Sequence, residues 1–181
     1  MKEFTYPEMM VHVPLCTSKK PENILIISDN AEFLVSEAAR HSEIKSKVIS
    51  CSLNDISALD DAVYDVVISE MPSDAALFSH VNRVLKDDGQ FVTTHSSLDD
   101  IEENRSLIKT LANYFKVIMP YHIGNGSTAL FSSKEYHPTA DINLQRADMI
   151  DGLNYYNCDI HLASFAMGNY IRKEYLGVIK N

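Results

Sequence analysis

Short apolar runs alternate with segments of helical period along most of the chain, the pattern of a parallel sheet with crossover helices. The first run, Asn23 to Ile27, follows the turn signal Lys19-Lys20-Pro21 and reads as a strand. Ser28-Asp29-Asn30 then supply N-cap chemistry for a helix carrying Phe33, Leu34, Ala38 and Ala39 on one side. Lys47 to Cys51 reads as the second strand. Between Cys51 and Tyr64 there is room for a loop and a turn or two of helix, with Leu53, Ile56 and Leu59 at helical spacing, before a strand from Asp65 to Ser69. Ala75 to Leu85 is amphipathic and stops at Lys86-Asp87-Asp88-Gly89, ahead of a strand from Gln90 to Thr94. A helix from Asp99 to Tyr114 leads to the strand Phe115 to Met119. The Gly-rich connection Tyr121 to Gly126 is short enough to make that strand and Thr128 to Ser132 an antiparallel hairpin. From about Asp141 the chain reads as helices packing on the sheet. The expected class is α/β, a mostly parallel sheet with a terminal antiparallel hairpin and C-terminal helices.

Composition narrows the function. At 181 residues with 45% hydrophobic and 23% charged positions, the chain has the length and apolar content of one ordinary domain, and no repeat, low-complexity tract or linker divides it. Sixteen Lys and Arg against 25 Asp and Glu leave a formal charge of −9, which argues against a nucleic-acid binder. Apolar runs such as Ile24 to Ile27 are far short of the ~20 residues that span a bilayer, and no apolar leader follows Met1-Lys2-Glu3, so the expectation is a cytoplasmic protein without a membrane segment. Cys16, Cys51 and Cys158 are odd in number and widely spaced, which fits neither a disulfide framework nor a C-x-x-C site. His12 and His41 lack ligand spacing, so no metal site is expected.

Three stretches resemble the polyamine aminopropyltransferases, of which spermidine synthase is the common member. The first is Glu3-Phe4-Thr5-Tyr6-Pro7-Glu8-Met9-Met10-Val11-His12-Val13-Pro14-Leu15, similar to the segment that ends the family's small N-terminal β domain and opens its Rossmann-like domain. The second is Tyr64 to Glu70, placed where the family has a strand delivering an acidic catalytic loop. The third, Tyr155-Tyr156-Asn157-Cys158-Asp159-Ile160-His161-Leu162-Ala163-Ser164-Phe165, follows the family's Y-Y-N-x-D-x-H-x-A-x-F signature. The resemblance covers nearly the whole chain. It implies the Rossmann-like fold of the AdoMet-dependent transferases over residues 1–181, with the family's β domain absent. It also implies transfer of an aminopropyl group from decarboxylated AdoMet, the co-substrate, to a putrescine-like diamine, with no tightly bound cofactor and a homodimeric assembly.

The resemblance assigns roles residue by residue. A diamine is doubly protonated at pH 7, so a carboxylate beside the nucleophile must accept a proton. Glu70 stands in the place of the family's proton-accepting Asp, in a loop of the form D-x-x-D that here reads Glu70-Met71-Pro72-Ser73-Asp74. Its second acid, Asp74, falls one residue late and equally reads as the N-cap of the next helix. Tyr6 matches a tyrosine that lines the diamine tunnel, although Pro7 replaces the hydrogen-bonding residue of relatives. Tyr121 and His122 are the candidates for a second tunnel residue. In the third stretch Asp159 caps or pairs locally, while Tyr155, Tyr156 and Phe165 pack the helix onto the sheet; Asp159 and His161 are read as structural.

The donor side departs from the family. Where relatives carry G-G-G-D-G-G, this chain has Ser28-Asp29-Asn30-Ala31-Glu32-Phe33, without a glycine. Cys51 and Ser52 replace a ribose-binding acid, and Asn54 or Asp55 is at best a stand-in for the acid near adenine, with Asp29 as partial replacement. Two functions follow: a divergent spermidine-synthase-like enzyme with a degraded donor site, or a non-catalytic member of the fold that acts as a binding or assembly partner. Without the β domain, the surface beside Phe4, Met9, Met10 and Val13 is expected to be open and to support a dimer.

Overall fold

A computed structural model describes residues 4–124 and 126–181. Glu3, which opens the first stretch quoted above, and Asn125 in the Gly-rich connection lie outside the described residues. Six strands form one sheet: β1 (Asn23–Ile27), β2 (Lys45–Ile49), β3 (Tyr64–Ser69), β4 (Leu85–Thr94), β5 (Val117–Gly124) and β6 (Ser127–Ser133). Their order is β2-β1-β3-β4-β6-β5; the first four are mutually parallel, and β6 runs antiparallel to both of its neighbours. The helices are α1 (Thr5–Thr17), α2 (Glu32–Ala38), α3 (Leu53–Ser57), α4 (Ala75–Val84), α5 (Ile101–Leu111), α6 (Leu144–Asp148), α7 (Cys158–Ser164) and α8 (Asn169–Glu174).

Both faces of the sheet are covered, so its central strands read as continuous apolar runs rather than alternating ones. Along β1, Ile24 and Ile26 enter one apolar cluster with α1 and α2, while Leu25 and Ile27 enter the other with α4 and α5. Residues of β6 divide the same way, Phe131 to the first and Leu130 to the second. Asp65 ties the entry end together: its carboxylate accepts from the amides of Glu22 (3.0 Å) and Asn23 (2.8 Å) and pairs with Lys86 (2.7 Å).

Several expected boundaries shift for physical reasons. Strand β2 lies two residues earlier than Lys47 to Cys51, because Asn23 pairs with Lys45 and the ladder ends at Ile49. Helix α2 is not capped by Ser28-Asp29-Asn30: its N-cap is Ala31, without a side-chain hydrogen bond, since the oxygens of Ser28 and Asp29 serve other partners described below. Phe33 is 52% exposed and Ala39 is exposed, so neither joins Leu34 and Ala38 in the core. Strand β4 absorbs the expected helix stop and begins at Leu85, with an irregular register opposite Tyr64 and Val66. The open patch expected on α1 does not exist, because Met9, Met10 and Val13 have no exposed surface. The helix is buried on nearly all sides by the sheet, α2 and the C-terminal helices.

What seats α1 is Glu8. Its carboxylate is fully buried and accepts three consecutive backbone amides, Asn154 (2.9 Å), Tyr155 (2.8 Å) and Tyr156 (2.8 Å). The first and third stretches of the sequence thus meet in one interaction. Asn157, not Asp159, caps α7, accepting from the Ile160 amide at 2.8 Å. His161 is fully buried: Nε2 donates to the Pro138 carbonyl (2.9 Å), so Nδ1 accepts from the Tyr156 hydroxyl (2.8 Å). Burial pushes its pKa down to about 4. His12 and His41, remote in sequence, meet at 3.0 Å, with Glu37 on the far side of His12.

Two stability predictions follow from these contacts. Glu8→Gln keeps the shape and one acceptor oxygen but removes the charge and turns an amide donor toward at least one of the three N–H groups, and is expected to cost about 2–3 kcal/mol in urea denaturation at pH 7. His161 binds its proton more weakly folded than unfolded, so the stability it contributes is present above about pH 6.5 and is lost as pH falls toward 4. His161→Gln should therefore flatten the decline in unfolding free energy between pH 7 and pH 4 by on the order of 2–3 kcal/mol; an unchanged slope would contradict this account.

Candidate active site

Open parallel sheets bind ligands outside the carboxyl ends of their strands, and here that edge is formed by the residues after β1, β2, β3 and β4. Glu70 leaves β3 with its amide bonded to the Ile27 carbonyl at 2.9 Å, which fixes its Cα between β1 and β3. Its side chain has two protein donors. The Tyr6 hydroxyl donates to Oε1 at 2.8 Å, and the Ser28 hydroxyl donates to Oε2. Tyr6 comes from α1, where the seating of Glu8 two residues on aims it at the sheet edge. Burial and the neighbouring carboxylate hold the Tyr6 hydroxyl far above the usual phenol range, so it remains a donor.

Two cavities flank this group. One, of about 770 Å³, has Glu70, Ser73, Asp74, His95 and Glu103 in its walls. The other, of about 310 Å³, is lined by Tyr6, Thr94, His95, Ile123, Ser127 and Thr128. Asp74 caps α4, accepting from the Leu77 amide at 2.7 Å. Asp74 is thus the N-cap of α4 and also stands in the cavity wall. Three carboxylates around one cavity suit a cationic ligand.

Of the expected tunnel residues, Tyr6 reaches the cavity edge and the other two do not. Tyr121 is 1% exposed, its ring against Phe165 and its hydroxyl donating to the Met9 carbonyl at 3.3 Å. It belongs to the core. His122 follows it on β5 and, by the alternation of a strand, is exposed on the opposite face. The hairpin reaches the cavity instead through Ile123, Ser127 and Thr128. Its turn is pinned at Gly124, where φ is +107° and an added Cβ would lie 2.9 Å from the Tyr155 hydroxyl and 3.0 Å from the Thr5 methyl.

His95 is the residue that sequence reasoning missed. It stands in the walls of both cavities at the end of β4. Asn104 orients it: Nδ2 of Asn104 donates to the Ser97 carbonyl (2.7 Å), which leaves Oδ1 to accept from His95 Nδ1 at 2.9 Å. Burial lowers the His95 pKa below its ordinary value, so the ring is neutral at pH 7. The signal was available, since the position after a central parallel strand is the rule that selected Glu70.

After β1 and β2 the structure gathers Asp29 and Cys51, the residues expected on the donor side. Asp29 accepts from the Cys51 amide at 3.0 Å, and burial, reinforced by the Asp29 charge, raises the Cys51 thiol pKa. Asp55 is bonded by the Ser50 hydroxyl. Ser28, besides donating to Glu70, accepts from the Asn30 amide at 2.9 Å. Ser28 and Asp29 are thus bonded to neighbouring strand ends, and the loop lacks the side-chain-free backbone of a glycine-rich turn.

A family model described as the spermine/spermidine synthase domain matches residues 3–80. The polyamine aminopropyltransferase of Helicobacter pylori (strain G27) is 23% identical, covering 96% of this chain and 78% of its own length. That of Clostridium beijerinckii is 26% identical, over 94% of this chain and 77% of its own. Spermidine synthase from Thermotoga maritima superposes with a TM-score of 0.82 at 21% identity, covering 95% of this chain and 74% of its own. A spermidine synthase solved with the transition state analogue AdoDATO superposes with a TM-score of 0.83 at 20% identity. Relatives and fold coincide over almost the whole length, and together these likenesses support a divergent member of the spermine/spermidine synthase family.

Proposed function

We propose that the chain carries out aminopropyl transfer from decarboxylated AdoMet to a putrescine-like diamine, with Glu70 accepting the proton of the attacking amine. The observation that supports this most directly is the carboxylate of Glu70 at the carboxyl end of β3, beside a cavity that also holds Asp74 and Glu103. One ammonium of the diamine faces the acids, and the other loses its proton to Glu70 and attacks the carbon next to the sulfonium. The C–S bond breaks, and its electron pair leaves with methylthioadenosine. Tyr6 and Ser28 hold the carboxylate in place and have to yield part of its hydrogen-bonding capacity to the amine. The donor rests against Asp29, Cys51 and Asp55 by contacts other than a glycine turn.

The second reading, a non-catalytic assembly partner, is favoured by one observation: both oxygens of Glu70 already have donors and the loop after β1 is filled. A cytoplasmic location and a homodimer belong to the proposal as well. Among the described residues no helix is long and apolar enough to cross a membrane.

Donor binding separates the two readings. A ligand at 100 times its dissociation constant adds about 2.7 kcal/mol of stability, so methylthioadenosine and decarboxylated AdoMet at millimolar concentration should raise the melting temperature; no shift sinks the enzymatic reading. Glu70→Gln should lower kcat by ~10²–10⁴-fold while weakening putrescine binding less. A Tyr6→Phe and Ser28→Ala double-mutant cycle, read in stability, should show a coupling of roughly 0.5–3 kcal/mol, because both hydroxyls serve one carboxylate. Strict additivity would mean that they do not hold Glu70 jointly.

A further inference from the structure

At the opposite edge of the sheet, between the turns entering β1 and β2 and helix α6, lies a cavity of about 390 Å³. Neither the fold rule for ligand sites nor the group around Glu70 accounts for it. Its described walls carry Lys20, Arg40 and Arg146 against one carboxylate, Glu43, in a chain whose formal charge is −9. Both guanidiniums are fixed. Arg146 donates to the carbonyls of Leu15 (2.7 Å), Ser18 (2.6 Å) and Lys19 (3.0 Å), partners that orient it without cancelling its charge. Arg40 pairs with Glu37 through Nε (2.7 Å) and donates to the Asp151 carbonyl (2.9 Å).

His41, 9% exposed, lines the same cavity as the two arginines. Its protonation pattern follows from a chain of hydrogen bonds. Glu37 Oε2 lies 3.0 Å from His12 Nε2, and a carboxylate only accepts, so His12 carries its proton there. His12 Nδ1 is then a lone pair, and the His41 Nε2 that meets it at 3.0 Å must be the donor. The remaining nitrogen of His41, Nδ1, on the ring edge turned away from His12, presents a lone pair. Burial first, then His12 and Arg146, lower the His41 pKa to about 4 against the opposing pull of Glu37, so the ring is neutral at pH 7. The charged groups around it are Glu37 on α2, Arg40 just beyond its end, Arg146 on α6, and on the entry turns Glu43 and Lys20, the latter paired with Glu22 at 3.0 Å.

A fixed acceptor beside two fixed guanidiniums selects an anion that still carries a proton. We propose that this cavity binds a phosphate group in its hydrogenphosphate form, its O–H donating to Nδ1 of His41 and its charged oxygens facing Lys20, Arg40 and Arg146. Inorganic phosphate keeps an O–H at pH 7. Sulfate, of the same size and charge, has none, and a phosphomonoester is largely dianionic there because its second pKa is about 6.

The experiment is a titration of the full chain with inorganic phosphate, sulfate and glycerol phosphate at constant ionic strength and pH 7, followed by amide and imidazole NMR shifts. Expected is saturable binding of phosphate, with shifts confined to residues around Arg40, His41 and Arg146, and sulfate roughly tenfold weaker. Glycerol phosphate binding as tightly as phosphate at pH 7 would overturn the selection argument; tightening between pH 7 and pH 5.5, as it gains its proton, would support it and identify phosphomonoesters as a second source of the group. Lys20→Met, at a side chain exposed enough to leave the fold intact, should weaken phosphate several-fold. His41→Gln should erase the preference over sulfate, and if that variant does not fold, the sulfate comparison on the parent chain decides alone. Equal affinity for sulfate, or no saturation by about 20 mM phosphate, overturns the proposal.

Discussion

A carboxylate taken fully out of water costs several kcal/mol unless hydrogen bonds replace its hydration, and Glu8 meets that condition only when residues 154–156 present their amides together. The constraint runs both ways. Helix α1 cannot settle against the sheet with an unsatisfied anion on its buried side, and the segment before α7 has three amides whose acceptor lies on α1. Tyr6 is two residues from Glu8 on the same helix, so its reach to Glu70 is inherited from this contact. Tyr155, one of the three donors, packs its hydroxyl beside Gly124 and so sets the hairpin that walls the smaller cavity. The geometry around Glu70 thus depends on one buried anion about 150 residues of chain away from its donors.

The loop after β1 shows what happens when glycines give way to residues with side chains. Ser28 directs its hydroxyl to Glu70 and accepts from Asn30, while Asp29 accepts from Cys51. Each bond satisfies a group that would otherwise need water or a ligand. The loop is thereby tied to the ends of β2 and β3 through side-chain hydrogen bonds. This explains why α2 has no side-chain cap: the residues suited to capping are engaged on the other side of the loop.

How much of this is legible in the sequence depends on whether an apolar pattern or a polar partner decides the matter. Strand β1 is bounded as expected because Pro21 and Ser28 punctuate an unbroken apolar run between two helical layers. Strand β2 slips by two residues because an edge strand with exposed Lys45 and Lys47 has little apolar signal to fix its register. Glu70 is legible from its place after a central strand, and His95 by the same rule, yet a histidine there has no motif to mark it. Tyr121 and His122 differ by one position, and strand alternation alone sends one to the core and the other to solvent. The pairings Glu8 with 154–156 and His12 with His41 join distant segments, and no periodicity within either segment announces them.

Net charge hides the arrangement that matters most for ligands. A strand of five or six residues is roughly 17–20 Å long, about twice the ~8 Å over which physiological salt screens exposed charges. The acids near Glu70 and the cations near His41 stand at opposite ends of such strands. Each cavity therefore feels its own walls rather than the −9 of the whole chain. A cation at the carboxyl edge and an anion at the amino edge can be favoured by the same small molecule of protein, because the sheet that positions both groups also keeps them too far apart to neutralise one another.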